Sequence, residues 1–118
     1  MDYGKLSDYE VSKLVAMTIG GFLEEDFCDT HSVIFRRHGR HQYSFFEPCT
    51  NPSDAWPIIQ ENLLRVVPVS FLGKVNWVVS RDIHSNHDAN PLRAAMITFL
   101  MMQDSANVPA NSTGSDIR

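Results

Sequence analysis

The segment Asn90-Pro91-Leu92-Arg93-Ala94-Ala95-Met96-Ile97-Thr98-Phe99-Leu100-Met101-Met102-Gln103-Asp104 constrains the chain more than any other. Asn90 is a helix cap, and Pro91 takes the first helical position, where its missing N–H costs nothing. Leu92, Ala95, Met96, Phe99 and Leu100 form a stripe at helical spacing. Ile97, Met101 and Met102 widen it until the helix is apolar nearly all round. Such a helix must be covered on several sides. The cover comes from a sheet, from another helix or from a second copy of the chain, so a homodimer is one option.

The chain has 118 residues, room for one domain. The first helix is signposted by Ser7 and Glu10 at capping-box spacing, with Leu6 and Val11 at the staple positions. Val11, Leu14, Val15, Thr18 and Ile19 follow on one stripe, and Gly20-Gly21 ends it. Residues 32–37 and 42–46 read as a hairpin around His38-Gly39-Arg40-His41, and residues 65–71 and 75–80 as a second around Leu72-Gly73-Lys74. Pro68 marks the first strand of that second pair as an edge strand or a bulge. Between the hairpins, Asn51-Pro52-Ser53-Asp54 leads into a helix in which Trp56, Ile59 and Leu63 share a face, ending near Asn62. Pro57 requires this helix to begin at Ser53 or later, or to kink at Trp56-Pro57. The acidic stretch 24–29 has no assignable structure, and residues 82–89 read as polar loop.

Helix, hairpin, helix, hairpin, helix gives an α+β fold, with a mostly antiparallel sheet of about four strands and three helices packed against it. Residues 1–105 form the single domain, and residues 106–118, small and polar, a flexible C-terminal tail. The opening residues are no signal peptide, and the longest apolar run is far short of the ~20 residues that span a bilayer. Two cysteines, Cys28 and Cys49, are no disulfide framework, although one bridge between them stays open. A cytoplasmic protein with no membrane association is the expectation.

The net charge of −4 is unevenly spread, with −5 in residues 1–30 and +2 in residues 31–50. The basic turn brings Arg36, Arg37 and Arg40 beside Phe35, Tyr43, Phe45 and Phe46. Arginine beside aromatics on a sheet clamps phosphates and stacks bases. In the competing reading alternate aromatics face the core and the arginines are a solvated turn. The acidic remainder of the chain argues against nucleic acid as the partner.

His38 and His41, and then His84 and His87 with Asp88 adjacent, form two H-x-x-H pairs. Imidazole and carboxylate are ligands for a hydrolytic metal, which makes His84, His87 and Asp88 weak metal candidates. No H-E-x-x-H signature accompanies them, and no phosphate-cradling loop, nucleophile elbow or dinucleotide fingerprint occurs. A cysteine–histidine pair is the one conceivable nucleophile. The reading favours a non-enzyme and calls for no cofactor. Trp56-Pro57 is rigid and large, suited to a core plug or to an interface anchor, with the core favoured.

Residues 51–62, Asn51-Pro52-Ser53-Asp54-Ala55-Trp56-Pro57-Ile58-Ile59-Gln60-Glu61-Asn62, resemble a motif of the NinX family, small proteins of lambdoid phages and prophages. So do residues 90–103, and residues 6–16 are similar to the family's N-terminal helix. The three blocks cover roughly a third of the chain; both histidine pairs lie outside them. The resemblance implies a phage or prophage accessory protein acting in the bacterial cytoplasm. It implies no activity and carries over no catalytic residue. A protein-interaction module, with a host factor as one partner, is therefore the leading expectation. Nucleic-acid binding through residues 36–40 and a metal-dependent hydrolase follow it.

Overall fold

The computed structural model describes residues 1–106. A helical turn at Tyr3–Lys5 leads into α1 (Asp8–Ile19), and a second turn (Glu24–Asp26) into strands β1 (Phe27–Cys28), β2 (Val33–Gly39) and β3 (Gln42–Phe45). Then follow α2 (Pro52–Glu61), β4 (Arg65–Phe71), β5 (Lys74–Arg81), β6 (His84–Asp88) and α3 (Pro91–Ala106). The expected tail falls outside the described residues, except for Ala106, which ends α3.

The helix ends form as their caps dictate. The Ser7 hydroxyl accepts from the Glu10 N–H, and the Glu10 carboxylate accepts from the Ser7 N–H at 2.9 Å. Asn51 Oδ1 accepts from the Ser53 N–H, and Asn90 Oδ1 from the Leu92 N–H at 2.9 Å. In α2 two expectations are corrected. The helix begins at Pro52, one residue before the earliest start expected for an unkinked helix, and continues through Pro57. Pro57 and Ser53 are both exposed, so the Ser53 carbonyl that loses its usual partner sits on the open side of the helix. Its buried face is Asp54, Ala55, Ile58 and Ile59, which turns Trp56 and Leu63 outward.

Two sheets form in place of one. The first has the order β1-β2-β3 and the second β4-β5-β6, every pair antiparallel. The α+β class stands, with six strands where about four were expected. The extra strands are β1, in the acidic stretch, and β6, in the segment read as loop. β6 is a strand because it pairs along β5 from Trp77↔Asp88 to Arg81↔His84 and half-buries alternate residues, not because its own residues favour strand.

Residues opposite each other on paired strands share a face. Val66 opposes the fully buried Val79, so this face of the second sheet looks inward. There the Thr98 hydroxyl of α3 donates to the carbonyls of Ala94 and Val79. On its other sides α3 packs against α1 and α2, and Ala94, Ala95, Met96, Ile97, Thr98, Phe99 and Leu100 are all buried. The apolar excess of α3 is thus covered from within the chain. The opposite face of β4 points Val67, Val69 and Phe71 outward, and Phe71 is 72% exposed.

β4 and β5 are joined by Leu72 and Gly73, with φ of 52° and 77°. Two consecutive left-handed residues make the type I′ turn whose twist suits a two-residue hairpin. In such a hairpin the closing pair, Phe71 and Lys74, is hydrogen-bonded and the pairs then alternate. Pro68, opposite Trp77, falls in a non-bonded pair, and its nitrogen points to the open edge. β4 is that edge strand, where a proline is tolerated.

Candidate functional site

The β2–β3 hairpin divides its residues between two faces, as the alternation of a strand requires. Ile34 and Phe46 enter the core, each 1% exposed. Arg36 lies on the same side, its guanidinium 4.3 Å from the Phe46 ring centroid. It also pairs with Asp54 at 3.4 Å, and the other Asp54 oxygen accepts the Glu47 N–H at 2.9 Å. Phe35, Arg37, Tyr43 and Phe45 share the outer face, Tyr43 and Phe45 being about half exposed. Arg37 donates from Nε to the buried Asp26 at 3.1 Å and from a terminal nitrogen to Glu25 at 3.0 Å. These two carboxylates raise its pKa above the ordinary guanidinium value. Of the three arginines, Arg40, exposed in the turn, is the one with no ion pair among the described residues.

The basic turn is therefore neither a free cationic clamp nor a solvated loop. Two of its three arginines tie the hairpin to α2 and to the acidic turn before β1. Beside them, Glu25, Asp26, Phe35, Arg37 and Tyr43 line an open hollow of about 340 Å³. The outward rings were not separable from the inward one by sequence, because Phe45 and Phe46 are adjacent and put an aromatic ring in each phase.

Trp56 is 59% exposed, which corrects the expectation of a core plug. Leu63, seven residues on and 68% exposed, follows the Asn62 cap of α2 with φ of 52°. The Leu63 N–H bonds the Gln60 carbonyl and the Leu64 N–H the Ile59 carbonyl, which is the paired closure of a Schellman motif. Glycine usually takes this position; a leucine there carries about 1–2 kcal/mol of backbone strain. An exposed leucine returns little of that through packing. This position was missed by sequence reasoning, since Asn62-Leu63 has no glycine to announce a left-handed residue.

The histidines do not converge on a metal. His84 and His87 lie three apart on β6, so they project from opposite faces; His84 is half-buried and His87 exposed. The Asp88 carboxylate accepts from the Asn90 N–H at 2.8 Å and pairs with Arg93 at 3.4 Å. His38 is hydrogen-bonded to the Ser44 hydroxyl across the hairpin. Among the described residues, no group of three or more His, Cys, Asp or Glu side chains could hold a metal ion. Cys28 and Cys49 are both free, so the bridge left open by the sequence is absent. Burial pushes the Cys49 thiol up to about 11, which leaves it a poor nucleophile. No helix among the described residues is long and apolar enough to cross a membrane.

Compared with known proteins, residues 2–103 match the family model described as Bacteriophage P22, NinX. The match runs through both stretches that the motif resemblance left out, 24–46 and 63–86. No curated protein and no solved structure matches the chain.

Proposed function

Because the chain belongs to the Bacteriophage P22 NinX family, we propose that it is a phage accessory protein that acts by contact with another protein, a host factor, rather than by catalysis. The observation that carries this reading is the exposure of Trp56 on α2 and of Leu63 just past its cap. Leaving each of these side chains in water forgoes about 1.5–3 kcal/mol of burial. Leu63 adds backbone strain at a place that glycine or asparagine would occupy with less. Within the isolated chain neither feature is rewarded, and both fit an anchor surrounded by neutral contacts. The place of action in this reading is the host cytoplasm.

Replacing Trp56 with alanine is expected to leave the melting temperature within a few degrees of wild type and to abolish partner capture. Affinity capture from phage-infected host lysate, quantified by mass spectrometry for both proteins, reads this directly. An anchor of this kind is worth at least about 2 kcal/mol, or roughly thirtyfold in affinity. A captured protein equally enriched by the variant would overturn Trp56 as the anchor, and so would a collapsed melting temperature.

The half-exposed rings of Tyr43 and Phe45 on the β2–β3 outer face favour a second reading, a single-stranded nucleic acid stacked on that face. Arg36 and Arg37 are already engaged by Asp54, Asp26 and Glu25, so the phosphate contacts fall to Arg40. A salt-titrated gel shift with single-stranded DNA and RNA is expected to show no complex even at low salt, where phosphate contacts are strongest. A complex lost on Arg40→Ala would establish the second reading instead.

A further inference from the structure

The face of α1 turned away from α3 carries a groove that the contact through Trp56 does not use. Leu6, Leu14 and Met17 line one end of it, in a depression of about 270 Å³. Lys13 and Met17 also wall a second depression of about 360 Å³, lined by Phe27, Glu24 and Asp29. Glu10, Lys13, Leu14 and Met17 recur at helical spacing on α1, with Leu6 just before its cap, so the two depressions follow α1 for about two turns, or about 10 Å. Met17 is 62% exposed at its centre. An unbranched thioether is the side chain best able to mould itself to different apolar partners.

The charge around this groove restricts what can lie in it. Glu10, Glu24 and Asp29 line the two depressions against one basic side chain, Lys13, and the Met1 terminus, so the rim carries an acidic excess. Nucleic acid, an anionic membrane or a second copy of the same acidic face would meet like charge. The chain itself shows which ligand chemistry the site accepts. The Lys13 ammonium sits 3.0 Å from Asp29 Oδ1 and 5.6 Å from the Phe27 ring centroid, held by a carboxylate and an aromatic face together. Glu24 has no ion pair among the described residues and is available to a second cation.

We propose that the α1 groove binds a basic amphipathic helix of a partner protein, its apolar side on Leu14, Met17 and Phe27 and its lysines or arginines on Glu10, Glu24 and Asp29. This is the helix-in-groove mode of recognition, with about two turns of the ligand engaged. It extends the protein-contact reading to a second surface, on the opposite side of the chemistry question from Trp56: there an aromatic anchor, here an acidic-rimmed methionine groove.

The test uses a fluorescein-labelled peptide of leucine and lysine in an amphipathic helical pattern. Its controls are the same composition scrambled and a leucine–glutamate counterpart. Fluorescence anisotropy is expected to show binding of the patterned lysine peptide alone, weakening as salt is raised. Met17→Ser and Glu24→Gln are each expected to weaken binding, by about tenfold for the methionine, at unchanged melting temperature. Glu61→Gln, an exposed acid on α2, is expected to leave it unchanged. Equal binding of the scrambled peptide, or undiminished binding by both groove variants, would overturn the proposal. So would a dimer in sedimentation that Met17→Ser dissociates, since it would put a second copy in the groove. Trp56→Ala is expected to bind the peptide like wild type. A negative peptide result with Trp56-dependent capture intact therefore refutes the groove and not the protein-contact reading.

Discussion

Arg93→Ala is expected to lower the melting temperature by about 10–15 °C, the loss of about 3 kcal/mol in a domain of this size. Arg93 stands in the first turn of α3, its side chain only 12% exposed, and reaches four parts of the chain at once. One terminal nitrogen donates to the carbonyls of Leu6 at 2.6 Å, Gly4 at 3.3 Å and Tyr3 at 3.4 Å. The other donates to Asp8 at 2.8 Å, and Nε pairs with Asp88 at 3.4 Å. Removing the guanidinium strands the Leu6 carbonyl and leaves Asp88 without its cation beside the Asn90 cap. The Asp8 contact adds little, because that carboxylate is half exposed and screened by water. Arg93→Lys keeps the charge but loses the planar fork that serves several acceptors, and is expected to recover only a minor part of the loss. Thermal unfolding of both variants, followed by circular dichroism, checks this. A lysine variant as stable as wild type would reduce Arg93 to a point charge.

Phe46→Ala is expected to be at least as damaging, at about 3–5 kcal/mol and 10–25 °C. Phe46 is 1% exposed, with the Phe22 ring 5.0 Å from it and the Arg36 guanidinium 4.3 Å from its centroid. Alanine leaves a ring-sized void and takes away the surface on which Arg36 lies against Asp54. The two effects are coupled, so a double-mutant cycle with Arg36→Ala is expected to show about 0.5–1 kcal/mol of interaction beyond additivity. Denaturant unfolding gives the equilibrium values needed. Strict additivity would mean that Phe46 adds nothing to the hold of Asp54 and Phe22 on Arg36.

How far these roles can be read from sequence depends on the range of the interaction. The caps at Ser7, Asn51 and Asn90 are local chemistry; α1 and α3 start where their caps place them, whereas Pro57 suggested a later start for α2 than the Pro52 it adopts. The two hairpins follow from Gly39 and Gly73 between β-prone runs. What decides the arginines, by contrast, lies elsewhere in the chain: Arg36 meets Asp54, Arg37 meets Asp26 and Glu25, and Arg93 meets Leu6. No spacing rule announces those pairs. In α2 the apolar residues Ala55, Trp56, Ile58, Ile59 and Leu63 permit two helical phases. The choice falls to the phase that sends Asp54 inward to Arg36 and the Glu47 N–H, which leaves Trp56 outside. The histidine pair failed for a simpler reason. An i,i+3 spacing brings two ligands together on a helix and separates them on a strand, and His84 and His87 lie on a strand.

Pro68 has a consequence for the life of this protein at high concentration. β4 leaves one flank unpaired over seven residues, and it is rich in valine, with Phe71 and Leu72 exposed at its end. Flanks of that kind recruit copies of themselves and grow into cross-β fibrils. On the open side the chain offers N–H groups at Val66 and Ser70 and, between them, a pyrrolidine ring with nothing to donate. A strand arriving from another molecule meets a gap in the middle of its ladder. The ring that costs β4 a hydrogen-bond donor thus interrupts the ladder that a second copy could build on this edge.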